Sequence, residues 1–266
     1  MAQFSGKTAI VTGGASGIGR ETARQLSDQG CHVIVADINF DQAEEVAKEL
    51  STDSIGFRLD VSSAEAWTDV MKCAEETFGG LDILVNSAGI GFTGDFEDMA
   101  LGHWNAMISV NLTGTFLGCQ KAIKLMKKSG KPAAIANISS LGGLVGGEDI
   151  AGYCASKGGV TLLTKSVALY CAGKGYNIRC NSIHPTYVDT EMLDPVADAF
   201  GSRKVMLDGM ASQVPIGRVA KPEDIASAIL YLCSAEASMV TGHQMVIDGG
   251  QMAGMPAQHS TKRGVL

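Results

Sequence analysis

The feature that most constrains this chain is an alternation. Short runs rich in β-branched and apolar residues are separated, through most of the length, by longer stretches with helical spacing. The runs are Lys7 to Thr12, His32 to Ala36, Ile55 to Leu59, Ile83 to Asn86, Ala134 to Ile138, Asn177 to Ile183 and Gln244 to Ile247. Helical patterns lie between them at Gly17 to Gln29, Phe40 to Leu50, Ser63 to Phe78, Asn111 to Lys128, Gly152 to Gly173 and Pro222 to Ser234. A strand apolar on both faces must be covered on both faces, and a helix after every strand supplies the cover and forces a parallel crossover. The expectation is an α/β fold: a three-layer, doubly wound, Rossmann-type parallel sheet of about seven strands. With 266 residues, 45% of them hydrophobic, the chain fills one large core, so residues 1–254 are read as a single domain. The weakest pattern, Thr190 to Val214, is read as a loop-helix excursion, and 255–266 as a polar C-terminal tail.

Polar motifs in such a fold belong beyond the carboxyl ends of the strands. Thr12-Gly13-Gly14, Asp37, Asp60, Asn86, Ser140 and Pro185 all fall there. After the first strand, TGGASGIG places Gly13, Gly17 and Gly19, with Ser16 and Ile18 between them, at the start of a helix. Glycines allow a tight turn and close backbone approach, and the helix N-terminus offers N–H groups to a pyrophosphate. Asp37 ends the second strand, eighteen residues beyond Gly19. A carboxylate there suits both adenosine ribose hydroxyls and repels a 2′-phosphate, which points to NAD and not NADP; the plainer reading is an acid capping the next turn. Asp60-Val61 is placed equally well at an adenine edge or in an ordinary turn. Asn86-Ser87-Ala88-Gly89 permits close approach of the cofactor, although the same residues would serve a turn.

Seven cysteines without a CxxC pair and five scattered histidines give no disulfide framework and no metal site. A net charge of −7 argues against nucleic acid or an anionic membrane as partner. The start of the chain lacks a signal-like apolar segment, and the reading is a soluble cytoplasmic protein.

Taken together, TGGASGIG, Asp37, NSAG at 86–89, Asn111, the serine after the fifth strand, YCASK at 153–157, Pro185 and VIDGG at 246–250 resemble the short-chain dehydrogenase/reductases, along nearly the whole chain. In that family the catalytic serine stands thirteen residues before the tyrosine, which selects Ser140 over Ser139. The resemblance implies Tyr153 as acid/base, Lys157 on the nicotinamide ribose, Ser140 on the substrate oxygen and Asn111 holding a water beside Lys157. It also implies that Pro185, Val188 and Thr190 border the nicotinamide carboxamide, with Thr186 departing from the glycine usual after Pro185.

Tyr153 and Lys157, four residues apart, share a helix face, where the ammonium and a nicotinamide ring should both lower the phenol's pKa. Apolar residues in the segments expected to flank the reacting oxygen, among them Leu141, Leu144, Val145, Met192, Leu193, Val196, Phe200, Val205 and Met206, suit a bulky cyclic alcohol or ketone. Glu148 and Asp149 read as solvated. The stretch from Gly175 to Pro185 is similar to bacterial 3β/17β-hydroxysteroid dehydrogenases. The expected activity is NAD-dependent interconversion of a secondary alcohol and a ketone, with an acyl-thioester ketoreductase or a non-catalytic NAD-binding scaffold as rivals. Apolar residues in excess of one buried stripe on two long helices, with the family's pairing of them, imply a homotetramer.

Overall fold

A computed structural model describes residues 2–197 and 200–254, so the tail at 255–266 lies outside the described residues. Its seven strands form one fully parallel sheet: β1 (Thr8–Thr12), β2 (His32–Asp37), β3 (Ile55–Arg58), β4 (Ile83–Asn86), β5 (Ala133–Ile138), β6 (Ile178–Pro185) and β7 (Gln244–Ile247). The order across the sheet is β3-β2-β1-β4-β5-β6-β7. The direction of winding reverses between β1 and β4, which opens a crevice at their carboxyl ends.

Consecutive strand residues serve opposite cores, as the two-residue side-chain period requires. Val33, Val35, Ala9, Val11, Ile83 and Val85 face one layer, where Ala23 and Leu26 of α1 (Gly17–Asp28), Ala43 and Val46 of α2 (Phe40–Glu49), and Ile225 and Ile229 of α9 (Pro222–Cys233) cover them. Ile10, Ile34, Leu84 and Ile135 face the other, beneath Trp67 and Val70 of α3 (Ala64–Phe78), Cys119 and Ile123 of α5 (Gly114–Met126), and Ala168 and Cys171 of α6 (Ala151–Gly173). This is the three-layer, doubly wound arrangement expected.

Helix boundaries follow local chemistry. The Ser63 hydroxyl accepts the Ala66 N–H to start α3, and Gly79, at φ 79°, closes it. Pro222 opens α9, with the Asp224 carboxylate accepting the Lys221 N–H at 2.8 Å.

One helix differs from expectation. The segment expected from Asn111 starts ten residues earlier, as α4 (Leu101–Met107), and runs into α5 through a π-helical turn at Ile108–Thr113. The Gly102-His103 pair and exposed Leu101 obscure the periodicity of its first turns, whereas buried Met107 anchors them. A π turn inserts one residue into the helical register, and here it carries Asn111. The excursion after β6 folds as α7 (Asp194–Ala197) and α8 (Arg203–Ser212).

Candidate active site

The dinucleotide end of the crevice is built from β1, β2 and β4. Gly13 and Gly17 have φ of 61° and 49°, and a Cβ on Gly19 would stand 2.1 Å from the Gly13 carbonyl oxygen, so only glycine permits this turn. Thr12, at the end of β1, accepts the N–H groups of Ser87 and Ala88, each at 3.0 Å. The NSAG segment is thereby pulled against the glycine-rich turn. Ser16 occupies the N-cap of α1 with extended backbone and makes no side-chain cap bond, while Ile18 packs toward the core.

Asp37 sits at the carboxyl end of β2, accepting the Ala15 N–H at 3.1 Å and the Asn39 N–H at 3.0 Å. It joins the glycine turn to the start of α2, so the capping role is present, and it carries a carboxylate at the lip of the crevice. Exposed Asp60 accepts the Ser62 N–H and hydroxyl at 2.9 and 2.7 Å, closing a turn. Val61 is buried in the core, and its carbonyl accepts the Trp67 indole N–H at 2.9 Å. Asn86 likewise turns its amide inward, donating to the Asn137 side-chain oxygen at 2.8 Å. At Val61 and Asn86 the backbone, not the side chain, is what a ligand in the crevice could meet.

The chemical end lies where β4, β5, β6 and α6 converge. Ser140 follows β5 in extended conformation and caps a short 3-10 turn, its Oγ accepting the Gly142 N–H at 3.1 Å. Ser139 points away: buried, it donates to the Lys157 carbonyl at 2.9 Å and lies 3.0 Å from the Thr161 hydroxyl. Ser140, the serine at the thirteen-residue offset, is half-buried, whereas Ser139 is buried. The half-buried Tyr153 ring lies between Gly91 and Gly142, where Cβ atoms would be 3.5 and 3.4 Å from it.

Lys157 is 4% exposed and donates from Nζ to the Ile138 carbonyl at 2.9 Å. Burial pulls its ammonium down to about 8. Nζ stands 5.7 Å from the Tyr153 ring centroid. A Cβ on Gly89 would lie 3.3 Å from Nζ and 3.4 Å from the Asn111 Oδ1, so glycine at 89 keeps the lysine's approach open. Asn111, fully buried in the π turn, accepts the Ile90 N–H at 2.8 Å and donates to the Ile90 carbonyl and the Ser156 hydroxyl, both at 2.9 Å. Its side chain clamps the chain after Gly89.

Within the protein itself burial raises the Tyr153 phenol above its ordinary value; the Ser140 side chain opposes this, and neighbouring Cys154 adds to it. The Lys157 ammonium donates to the Ile138 carbonyl and stands 5.7 Å from the Tyr153 ring centroid. Thr186, which replaces the glycine usual after Pro185, needs no positive φ, since no residue other than glycine has one among the described residues, and its hydroxyl donates to the Gln251 side chain at 2.5 Å.

Beyond Pro185, Val188 is buried and bridges to Ala220, and Thr190 crosses to the glycine turn, where a Cβ on Gly17 would meet its methyl at 3.0 Å. Arg20 and Glu191 form an exposed ion pair at 3.4 Å across the same gap. Met206 is fully buried and anchors α8, whereas Phe96, Val145, Met192, Phe200 and Val205 are exposed. One further contributor escaped the sequence reading: His184, inside what reads as plain strand.

A doubly wound sheet with a glycine turn at its switch point, and a serine, tyrosine and lysine gathered beside it, defines the class: a Rossmann-type α/β oxidoreductase fold. A family model described as Enoyl-(Acyl carrier protein) reductase matches residues 13–252. The chain is 39% identical to the NADP-dependent (R)-specific alcohol dehydrogenase of Lentilactobacillus kefiri over 94% of its own length and 98% of the relative's. It is 41% identical to the 3-alpha-(or 20-beta)-hydroxysteroid dehydrogenase of Mycobacterium tuberculosis over 94% and 91%. The crystal structure of a short-chain type dehydrogenase/reductase from Mycobacterium marinum superimposes with a TM-score of 0.87 at 32% identity, covering 95% of this chain and 98% of that one. The protein belongs to the short-chain dehydrogenase/reductase family.

Proposed function

We propose that this protein is an NAD-dependent dehydrogenase of a hydroxysteroid or comparable bulky, apolar secondary alcohol, working reversibly against the ketone. The observation that carries the reading is the convergence of Ser140, Tyr153 and Lys157 at the mouth of a crevice whose glycine turn would be filled by any Cβ. The cradle fits a dinucleotide, with Gly13, Ser16, Gly17, Ile18 and Gly19 toward the pyrophosphate and Asp37 toward the adenosine ribose. Bound there, NAD supplies the hydride acceptor.

The chain's own residues do the rest. Tyr153 takes the hydroxyl proton as the carbinol carbon loses hydride, and returns it in the reductive direction. Ser140 has one lone pair engaged by the Gly142 N–H, which leaves its hydroxyl proton to donate to the substrate oxygen. Lys157, held by the Ile138 carbonyl, presents its remaining donors toward the ribose side. The Asn111 clamp on Ile90 fixes the segment after Gly89, and its main-chain carbonyl accepts the Thr115 hydroxyl at 2.7 Å. Burial favours the protonated phenol at rest, and a nicotinamide bound in the cradle would supply a positive charge that favours its ionisation.

Two observations support the substrate class. Phe96, Val145, Met192, Phe200 and Val205, apolar residues of the segments expected to flank the reacting oxygen, are exposed. The basic residues of the excursion, Arg203 and Lys204, are engaged by Asp189, Asp194 and Asp208, and Glu148 and Asp149 are exposed. That surface attracts apolar neutral substrates and gives an acidic carrier protein no basic landing site, which disfavours the acyl-thioester reading despite the matching model's description. Preference for NAD rests on Asp37, against an NADP-dependent relative. Exposed Phe116 on α5 and Leu162, Leu169 and Tyr170 on α6 support burial of those helices in a homotetramer.

A steady-state panel of hydroxysteroids, cycloalkanols, sugars and acyl thioesters, each with both cofactors, tests the reading. Turnover of the first two classes with NAD is expected. Turnover of sugars or thioesters alone, or at least tenfold preference for NADP, would overturn it.

A further inference from the structure

We infer that His184 is a positioning residue for Ser140: its imidazole locks the backbone of the serine that orients the substrate oxygen. The inference rests on the reading of Ser140 given above.

The parallel ladder between β5 and β6 runs from Ala133 paired with Ile178 to Ile138 paired with Ile183, and its last backbone rung is the Ser139 N–H on the Ile183 carbonyl at 2.8 Å. One residue further the chain leaves the sheet for the 3-10 turn, and no backbone donor of β6 follows it. The His184 side chain takes over that rung, with Nδ1 2.9 Å from the Ser140 carbonyl oxygen. A carbonyl only accepts, so Nδ1 carries the proton. Nε2 lies 2.8 Å from the Ser182 hydroxyl, and in the neutral ring it is the acceptor.

Both lone pairs of the Ser140 carbonyl are thereby used, one by the Gly143 N–H at 2.9 Å and one by the imidazole. Its Oγ is fixed by the Gly142 N–H. The turn alone would leave Ser140 free to move with residues 141–143 as a unit; His184 ties that unit to the central sheet. The ring itself is fully buried beside Pro185, and nothing in the cleft needs it to be charged. Burial, together with the nearby positive charge of Lys157 and Lys165, holds the imidazole below its ordinary pKa, against the pull of the Ser140 carbonyl. The neutral tautomer suits one donor and one acceptor on opposite sides.

Because a displacement of a few tenths of an ångström at a catalytic contact costs rate more than affinity, the effect belongs in kcat. His184→Leu keeps the bulk and removes both bonds. His184→Asn puts an amide donor near the place of Nδ1, whereas His184→Gln carries its donor one bond further. The expected result is kcat lower by about tenfold in His184→Leu and His184→Gln, with His184→Asn recovered to within about threefold and NAD affinity, read by fluorescence titration, unchanged in all three. Should the leucine variant fail to fold, the contrast between Asn and Gln decides alone. Equal kcat in Asn and Gln, wild-type kcat in Leu, or a parallel loss of NAD affinity would overturn the inference, the last by showing a general strand defect. Ser140→Ala is assayed alongside: wild-type activity there would remove the underlying reading of Ser140, while an inactive Ser140→Ala with a fully active His184→Leu would remove only the role of His184.

Discussion

Lys157→Met should make the protein more stable near neutrality while removing its activity. In the folded chain Lys157 is 4% exposed, its head group donates to the Ile138 carbonyl and to no other group among the described residues, and burial brings its pKa from 10.5 to about 8. A depression of that size corresponds to about 3 kcal/mol of unfavourable free energy for holding the charged lysine folded at pH 7. Methionine fills nearly the same volume and removes that cost, but leaves the buried Ile138 carbonyl unpaired, a loss of about 1–3 kcal/mol. The net expectation at pH 7 is stabilisation by about 1 kcal/mol, or about 2–4 °C in Tm for a chain of this size.

The pH dependence is the sharper signature. Above about pH 8 the folded lysine loses its proton, whereas the unfolded one keeps it to about 10.5. The unfolded state then binds more protons, so the wild-type protein gains stability from this group as pH rises through that window, and the variant does not. Denaturant unfolding of both proteins at pH 7 and pH 10.5, at one protomer concentration, should show the variant's advantage falling by about 3 kcal/mol and changing sign. A difference independent of pH, or a variant less stable at pH 7 than at pH 10.5 relative to wild type, would refute the reasoning.

Replacing Asp37 by Ala together with Ile38→Arg should lower kcat/KM with NAD by about 10- to 100-fold, through loss of charge-assisted hydrogen bonds, and raise it with NADP; steady-state kinetics with both cofactors reads this out. Gly89→Ala should cost about threefold to tenfold in kcat, since its Cβ must displace the Lys157 Nζ or the Asn111 Oδ1 from contacts of 3.3 and 3.4 Å; an unchanged rate would mean that neither group's position matters. Ser139→Ala should lose about 1–2 kcal/mol of stability, measured by urea unfolding, yet stay within about twofold of wild-type kcat, because its hydroxyl serves the Lys157 carbonyl and not the cleft.

The sheet was legible because each strand announces itself: Ala9, Ile10 and Val11, flanked by β-branched Thr8 and Thr12, suit a strand between two covered faces, and all five residues are buried. The selection of Ser140 was legible through its fixed offset from Tyr153, and the structure shows why the neighbouring serine differs, since successive residues leaving a strand point to opposite sides. Less visible was the start of α4, where Gly102 and His103 interrupt a periodicity that only the packing of Met107 restores. The π turn was invisible, because one extra residue in a helix leaves no compositional mark. So was the work of His184, whose partner lies 44 positions away. Spacing showed that Tyr153 and Lys157 share a helix face; it could not show that the lysine's head group donates to the carbonyl of Ile138 or that burial raises the phenol.

The most direct test of the central claim follows a label. A secondary alcohol of the hydroxysteroid or cycloalkanol class, deuterated at its carbinol carbon, is incubated with the protein and NAD, and the reduced cofactor is analysed by mass spectrometry beside a Tyr153→Phe control. The account predicts deuterium on the nicotinamide ring at a rate reduced by at least about 100-fold in the control. Label appearing in solvent, or transfer to the cofactor at an equal rate without the phenol, would contradict it.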